Sequence, residues 1–293
     1  MTLFQLTGAL ELGLIYGLVA LGVYLTFRIL NFPDLTVDGS FPLGASVSIS
    51  MISLGYDPIF ATGAALLAGC FAGVITGILA TRFKILDLIA GIITMTALYS
   101  INIRIMQGKP NISIMDQPTV IGSLKSMLYP YLGSFSLTVL MVVVIFLVIY
   151  GVYRFLSSAM GLALRATGNN ARMARANGIS DKTMILVGLA LSNGLIALGG
   201  SLFAQENAFS DVNMGIGTII AGFASLILGE AILPARRLKY QLMACIAGAI
   251  LYRTVVAVAL NGSDFGLEAT DLNLVTAVIL TLALVYPKLK GQK

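Results

Sequence analysis

Two acids four residues apart, Asp34 and Asp38, stand in the segment Arg28-Ile-Leu-Asn-Phe-Pro-Asp-Leu-Thr-Val-Asp-Gly-Ser-Phe-Pro-Leu-Gly44, where Thr36 and Ser40 alternate with them. Carboxylates and hydroxyls so spaced can bind a cation, carry a proton or orient a polar solute. Pro33 and Pro42 bracket the acids. A proline removes a backbone donor and disfavours helix in the residue before it, so the segment is expected to interrupt a helix. An ordinary turn stays open, with Asp34 or Asp38 capping the helix that follows. A second polar stretch runs Gly161-Leu-Ala-Leu-Arg-Ala-Thr-Gly-Asn-Asn-Ala-Arg-Met-Ala-Arg-Ala-Asn-Gly-Ile179, within a region carrying Arg154, Arg165, Arg172, Arg175 and Lys182. Its cations suit acidic groups on a partner. Asn169 and Asn170 after Gly168 supply a turn, and Gly178 a stop.

The elements that must position these groups are apolar. Hydrophobic residues make up 58% of the 293-residue chain, charged residues 11%, and mean hydropathy is +0.94. A soluble chain carries roughly 25% charged residues. The class is therefore all-α: a polytopic membrane protein forming one transmembrane domain over 1–293. A span needs about 20 apolar residues, which places about nine, near 8–27, 40–54, 59–81, 86–106, 133–153, 184–204, 214–232, 240–260 and 270–287. The second is short, and 31–44 is a broken or re-entrant element. Met1–Gly8 reads as the lead into the first span rather than a cleaved signal. Glycines such as Gly69, Gly73 and Gly77 suit close helix contacts in lipid, though small residues are common in membrane helices anyway.

Charge sets the orientation. Of the 18 basic residues, 13 fall in alternate loops: Arg82 and Lys84, the 154–183 loop, Arg236 to Lys239, and the C-terminal lysines. These loops face the cytoplasm under the positive-inside rule, and counting back puts the N-terminus outside if residues 31–39 form a true loop. The net charge of +5 is thus explained by basic loops, with no nucleic-acid partner implied.

Polar groups inside spans mark paths or helix contacts. Thr96, Tyr99 and Asn102 recur every three residues, near one helix face. Ser192 and Asn193 interrupt the sixth span. With Asp34, Thr36, Asp38 and Ser40, they form the candidate translocation path, because transporters build midplane sites from broken helices. Arg104 and Arg253 are expected to snorkel from span ends. Glu230 is expected to pair with Arg236 or Arg237, or to meet a partner. Cys70 and Cys245 read as small buried hydrophobes, without metal-ligand spacing. Histidine is absent, removing the usual general base, and no G-x4-G-K-[ST] occurs, so the chain does not hydrolyse ATP by that route.

Three stretches carry a family resemblance: the 161–179 loop, the Asp34–Ser40 element and Gly222-Phe-Ala-Ser-Leu-Ile-Leu-Gly-Glu230. Together they resemble the permeases of branched-chain amino-acid and ribose-type ABC importers. The unshortened 31–44 segment is most similar to a branch associated with aromatic amino acids such as tryptophan and tyrosine. The resemblance implies a permease homodimer in the bacterial cytoplasmic membrane. It implies two cytoplasmic ABC ATPases, an extracytoplasmic binding protein and surrounding lipid. No cofactor is expected in this chain, since ATP and Mg would sit on the ATPase. A short helix around 163–176 would enter each ATPase, with Gly161, Arg165, Ala166, Gly168, Asn169, Asn170, Arg172, Arg175, Asn177 and Gly178 as the coupling set. The implied function is uptake of a small solute, an amino acid by family, through alternating access. The alternatives are an ion-coupled carrier using Asp34 and Asp38 and, more remotely, a membrane-embedded enzyme or scaffold.

Overall fold

A computed structural model describes residues 3–261, except 116, 235 and 236, together with 277, 278 and 281. All of the expected span 270–287 but 277, 278 and 281, together with the C-terminal lysines and Arg236, lies outside the described residues. The order is α1 (Leu3–Val23), a π-helical turn (Tyr24–Ile29), α2 (Val37–Ser53), α3 (Pro58–Thr81), α4 (Asp87–Ile105), β1 (Asn111–Ser113), α5 (Val120–Leu132), α6 (Ser136–Leu156), α7 (Ala159–Asn169), α8 (Ala171–Ala176), α9 (Asp181–Asn207), β2 (Phe209–Asp211), α10 (Thr218–Ile232) and α11 (Leu238–Asn261). β1 and β2 pair antiparallel, with Ile112 opposite Ser210.

Among the described residues, seven helical segments are long and apolar enough to cross a membrane. The exact count of nine is thus not confirmed. α2 exists but has only 17 residues, about 25 Å at 1.5 Å per residue, short of a roughly 30 Å hydrocarbon layer.

Local chemistry sets the helix starts. Asp57 accepts from the Ile59 and Phe60 amides with Pro58 at the first position of α3, while Ser158, Asn170 and Ser180 cap α7, α8 and α9. α9 runs through the middle of the bundle, where Ser192, Asn193, Ile196, Ala197 and Ser201 are fully buried. α1, α2 and α3 pack around it. Phe71, Phe146 and Leu147 face outward, as lipid-facing positions do.

The α3–α9 contact needs a glycine. A Cβ on Gly73 would stand 2.2 Å from the Leu189 carbonyl oxygen, whereas one on Gly63 would meet nothing within 4 Å. Gly73 is therefore a backbone-contact position and Gly63 is not. Gly73→Leu is expected to destabilise the purified protein by at least the about 1–3 kcal/mol usual for overpacking, while Gly63→Leu is expected to be neutral. Thermal unfolding followed by size-exclusion chromatography separates the two outcomes.

Candidate functional site

The break between α1 and α2 is the centre of the polar architecture. α1 widens into its π turn and ends at Ile29. Asn31 then takes the left-handed conformation at φ 55°, and residues 31–34 are unwound. Asparagine tolerates that conformation better than most residues. Leu30 packs against Gly188 of α9, whereas Asp34 reaches Asn193, five residues further along the same helix. The chain thus climbs about 7 Å along α9 before helix resumes. Helix restarts at Val37, so Pro42 lies inside α2 rather than marking the end of the unwound segment.

Asp34 is fully buried. Its Oδ1 accepts from the Thr36 amide at 2.9 Å and its Oδ2 from Asn193 Nδ2 at 2.7 Å. Asn193 Oδ1 in turn accepts from Ser40 Oγ at 2.7 Å. Thr36 Oγ1 lies 2.8 Å from Thr76 Oγ1, which donates to Thr94 Oγ1 at 2.9 Å. Ser192 Oγ donates to the Gly22 carbonyl at 2.8 Å, joining α9 to α1. One network therefore ties the broken segment to α3, α4 and α9. Unwound backbone at membrane depth persists only when protein or water covers it, and here protein does. Thr76 and Thr94 belong to this layer although sequence reasoning does not single them out; a threonine within a span is the signal that marks them.

Asp38 does something else. One of its oxygens accepts from the Ile219 amide at 2.7 Å, in the first turn of α10. The residue at that helix start, Gly217, has φ +81° and no side chain to cap with. Asp38 supplies the missing acceptor from another helix, 181 residues away in sequence. Neither acid caps α2 by its side chain: Asp34 turns onto Thr36, and Thr36 at the start of α2 makes no capping bond.

The candidate path residues therefore separate into two groups. Asp34, Thr36, Ser40, Ser192 and Asn193 sit inside the protein. Asp38, Thr96, Tyr99 and Asn102 share the lining of a cavity of about 330 Å³. Met95, Pro42, Asn213 and Ile216 complete much of its wall. Sequence reasoning misses the contribution from the 212–216 turn, because only tertiary packing brings it to α4.

A second cavity, about 570 Å³, opens at the basic end of the bundle between Tyr24, Arg28, Asn31, Arg165, Glu230 and Gln241. Arg28 and Glu230 form a two-pronged ion pair across it. Glu230 is thus partnered by Arg28 rather than by Arg237. Arg104 is exposed at the end of α4, as expected for a snorkelling residue. Arg253 is not: its guanidinium lies 3.6 Å from the Tyr16 ring centroid, a cation–π contact inside the bundle.

The coupling set also divides. The helix expected around 163–176 is two helices, turned at Asn170, whose side chain accepts from the Met173 amide at 3.1 Å. Gly161, Leu164 and Thr167 are the buried face of α7. A Cβ at Gly168 would stand 1.8 Å from the Ile29 carbonyl oxygen. This glycine therefore seats α7 directly on the end of α1. Arg165, Ala166, Asn169, Asn170, Arg172, Arg175, Asn177 and Gly178 are exposed. Arg175 is paired with Asp181 of the same chain. Met173, 65% exposed between the arginines, joins this outer ledge and is not among the expected residues.

A family model described as the branched-chain amino acid transport system / permease component matches residues 5–285. The chain belongs to that family. The permease is 40% identical over 267 residues to a tyrosine transport system permease protein of Clostridioides difficile (strain R20291), covering 91% of this chain and 86% of that protein. It is 35% identical over 284 residues to an uncharacterized protein of Rickettsia prowazekii (strain Madrid E), covering 94% and 95%. Among solved structures it resembles PsaBC from Streptococcus pneumoniae in complex with Fab, with TM-score 0.53 and 16% identity over 99% of this chain and 96% of that chain. That likeness concerns the fold alone. The permease is a multi-pass protein of the bacterial inner membrane.

Asn193→Leu in the permease strips the Asp34 carboxylate of a charge-assisted bond and is expected to cost about 1.5–3 kcal/mol. Adding Asp34→Leu is expected to cost less than the sum of the two single changes. A double-mutant cycle on thermal unfolding measures that coupling, and additivity would show the pair to be independent.

Proposed function

We propose that the permease is the membrane subunit of an ABC importer that takes up an amino acid, with tyrosine the first solute to try. The observation that carries this reading is the seating of α7. Its outer side is a basic, partly apolar ledge, and its inner side rests through Gly168 on the carbonyl that ends α1. A protein pressing on the ledge would therefore press on the broken helix.

In this reading a cytoplasmic ATPase carrying ATP and Mg receives α7 and α8. Arg165, Arg172 and Met173 form the contact, while Gly161 and Gly168 fix the ledge to the bundle. A binding protein delivers solute at the opposite end, near the β1–β2 pair. A second copy of the permease covers the cavity face of α4, where Tyr99 is half exposed and Thr96 is exposed at membrane depth. Polar side chains there are costly against lipid and suit a protein- or water-lined path. The two cavities lie at the two ends of the broken segment, Asn31 lining one and Asp38 the other. Movement of the segment would open one as it closes the other. The tyrosine assignment rests on the name of the Clostridioides difficile relative and on shared sequence.

Arg172→Glu combined with Met173→Glu is expected to leave insertion and thermal stability intact, since both side chains are exposed. Mild-detergent affinity purification from native membranes should then lose a co-purifying P-loop ATPase, and uptake of labelled tyrosine should fall to background. Uptake that survives ATP depletion but collapses with an ionophore would instead establish an ion-coupled carrier. Gly168→Trp does not probe docking, because it disrupts the seat on Ile29.

A further inference from the structure

The cavity beside α4 has a chemical bias. Among the described residues, Asp38 is its one acidic lining group, and no lysine or arginine lines it. A carboxylate offers about four acceptor positions, and the Ile219 amide takes one of them, on Oδ1. Asn102, fully buried, also lines the cavity. Its amide donates weakly to the Gly39 carbonyl at 3.4 Å, and its Oδ1 has no partner among the described residues. A buried acceptor without a donor costs about 1–3 kcal/mol, and a ligand N–H would relieve that cost. Met95, Pro42 and Ile216 make the rest of the wall apolar. The remaining polar side chains, the Thr96 and Tyr99 hydroxyls and the Asn213 amide, are neutral.

We propose that this cavity receives the protonated amino group of the transported solute, held between the Asp38 carboxylate and Asn102 Oδ1, with its apolar part against Met95, Pro42 and Ile216. This deepens the reading of the cavity as part of the translocation path and rests on it. The ligand class is a primary ammonium bearing an apolar substituent, as in a zwitterionic amino acid. Neutral sugars lack the charge, and an anion without an amine would face Asp38 with no cation to offset it. Asp38 then serves as a specificity-determining residue while it caps α10.

The test uses the full-length permease in nanodiscs, with Cys70→Ala and Cys245→Ala, and Thr96→Cys as a reporter, since Thr96 is exposed and lines the cavity. Aminoethyl and sulfonatoethyl methanethiosulfonates probe the site with opposite charge. Relative to their rates on a free thiol, the ammonium reagent should react about tenfold faster, the effect of one partly desolvated charge. Asp38→Asn keeps an oxygen for the Ile219 amide and should abolish the preference without unfolding the chain. L-tyrosine and tyramine should protect the reporter thiol from modification, and 3-(4-hydroxyphenyl)propionate should not. A charge preference unchanged by Asp38→Asn, or equal protection by the deaminated compound, would overturn the proposal. The labelling needs neither ATPase nor binding protein. The importer reading fails separately, if tyrosine uptake by the intact system proves independent of ATP.

Discussion

A carboxylate sealed from water inside a membrane protein sets the terms for everything around it. Stripped of partners, a buried charge costs several kcal/mol even after local relaxation. Asp34 avoids that cost by accepting from Thr36 and Asn193, and Asn193 is itself fixed by Ser40. These bonds require an unwound chain, because only there do the Asp34 carboxylate and the Thr36 amide meet. They also require α9 to present Asn193 at one depth, which the close packing of α3 and α2 on α9 secures. The break in the helix and the tight bundle are therefore one requirement. Loosening α9 would expose the acid, and straightening the segment would remove its donor.

This arrangement makes the broken segment a rigid link rather than a slack loop. Its lower end is clamped by α7 through Gly168 and spanned by the Arg28–Glu230 pair. Its upper end passes into α2, whose first turn holds the start of α10 through Asp38. A displacement of α7 thus has a packed route to the cavity lined by Asp38. Two-state elements need such stiffness, since packed interiors shift between discrete arrangements more readily than they deform continuously.

Much of this is legible in the sequence, for identifiable reasons. Hydropathy gives the class and most spans, because lipid imposes its rule over many residues at once. The prolines and acids at 33–42 announce a break, and three-residue spacing puts Thr96, Tyr99 and Asn102 on one wall. What stays hidden depends on distant partners. Nothing local shows that Asp38 caps a helix 181 residues later or that Arg28 takes Glu230. The expectation for Pro42 fails for a related reason. Proline in a helix costs one hydrogen bond and a steric clash, and burial of α2 between α3, α4 and α9 overrides it. The coupling segment reads in sequence as one set, whereas Gly161 and Gly168 face the bundle and the cations face out. Composition does not separate them, but the burial period of α7 does.

Asp38 shows how a structural need and a recognition need can share one group. The start of α10 falls inside the apolar segment Val212–Ile232 and follows a glycine, so its free amides demand an acceptor from elsewhere. Asparagine at position 38 would also offer an acceptor, without the cost of desolvating a charge, though it would lose the attraction of a carboxylate to the helix N-terminus. Capping therefore explains the charge only in part. The charge gains a reason if something positive visits the adjoining cavity, where the Asn102 oxygen, without a partner among the described residues, also waits for a donor. A visiting ammonium would weaken the hold of Asp38 on the α10 amides by drawing on the same carboxylate. Solute binding and the position of α10 would then be coupled through one side chain. Because α10 carries Glu230, the partner of Arg28, in its last turn, that coupling would extend across the bundle to the side where α7 is seated.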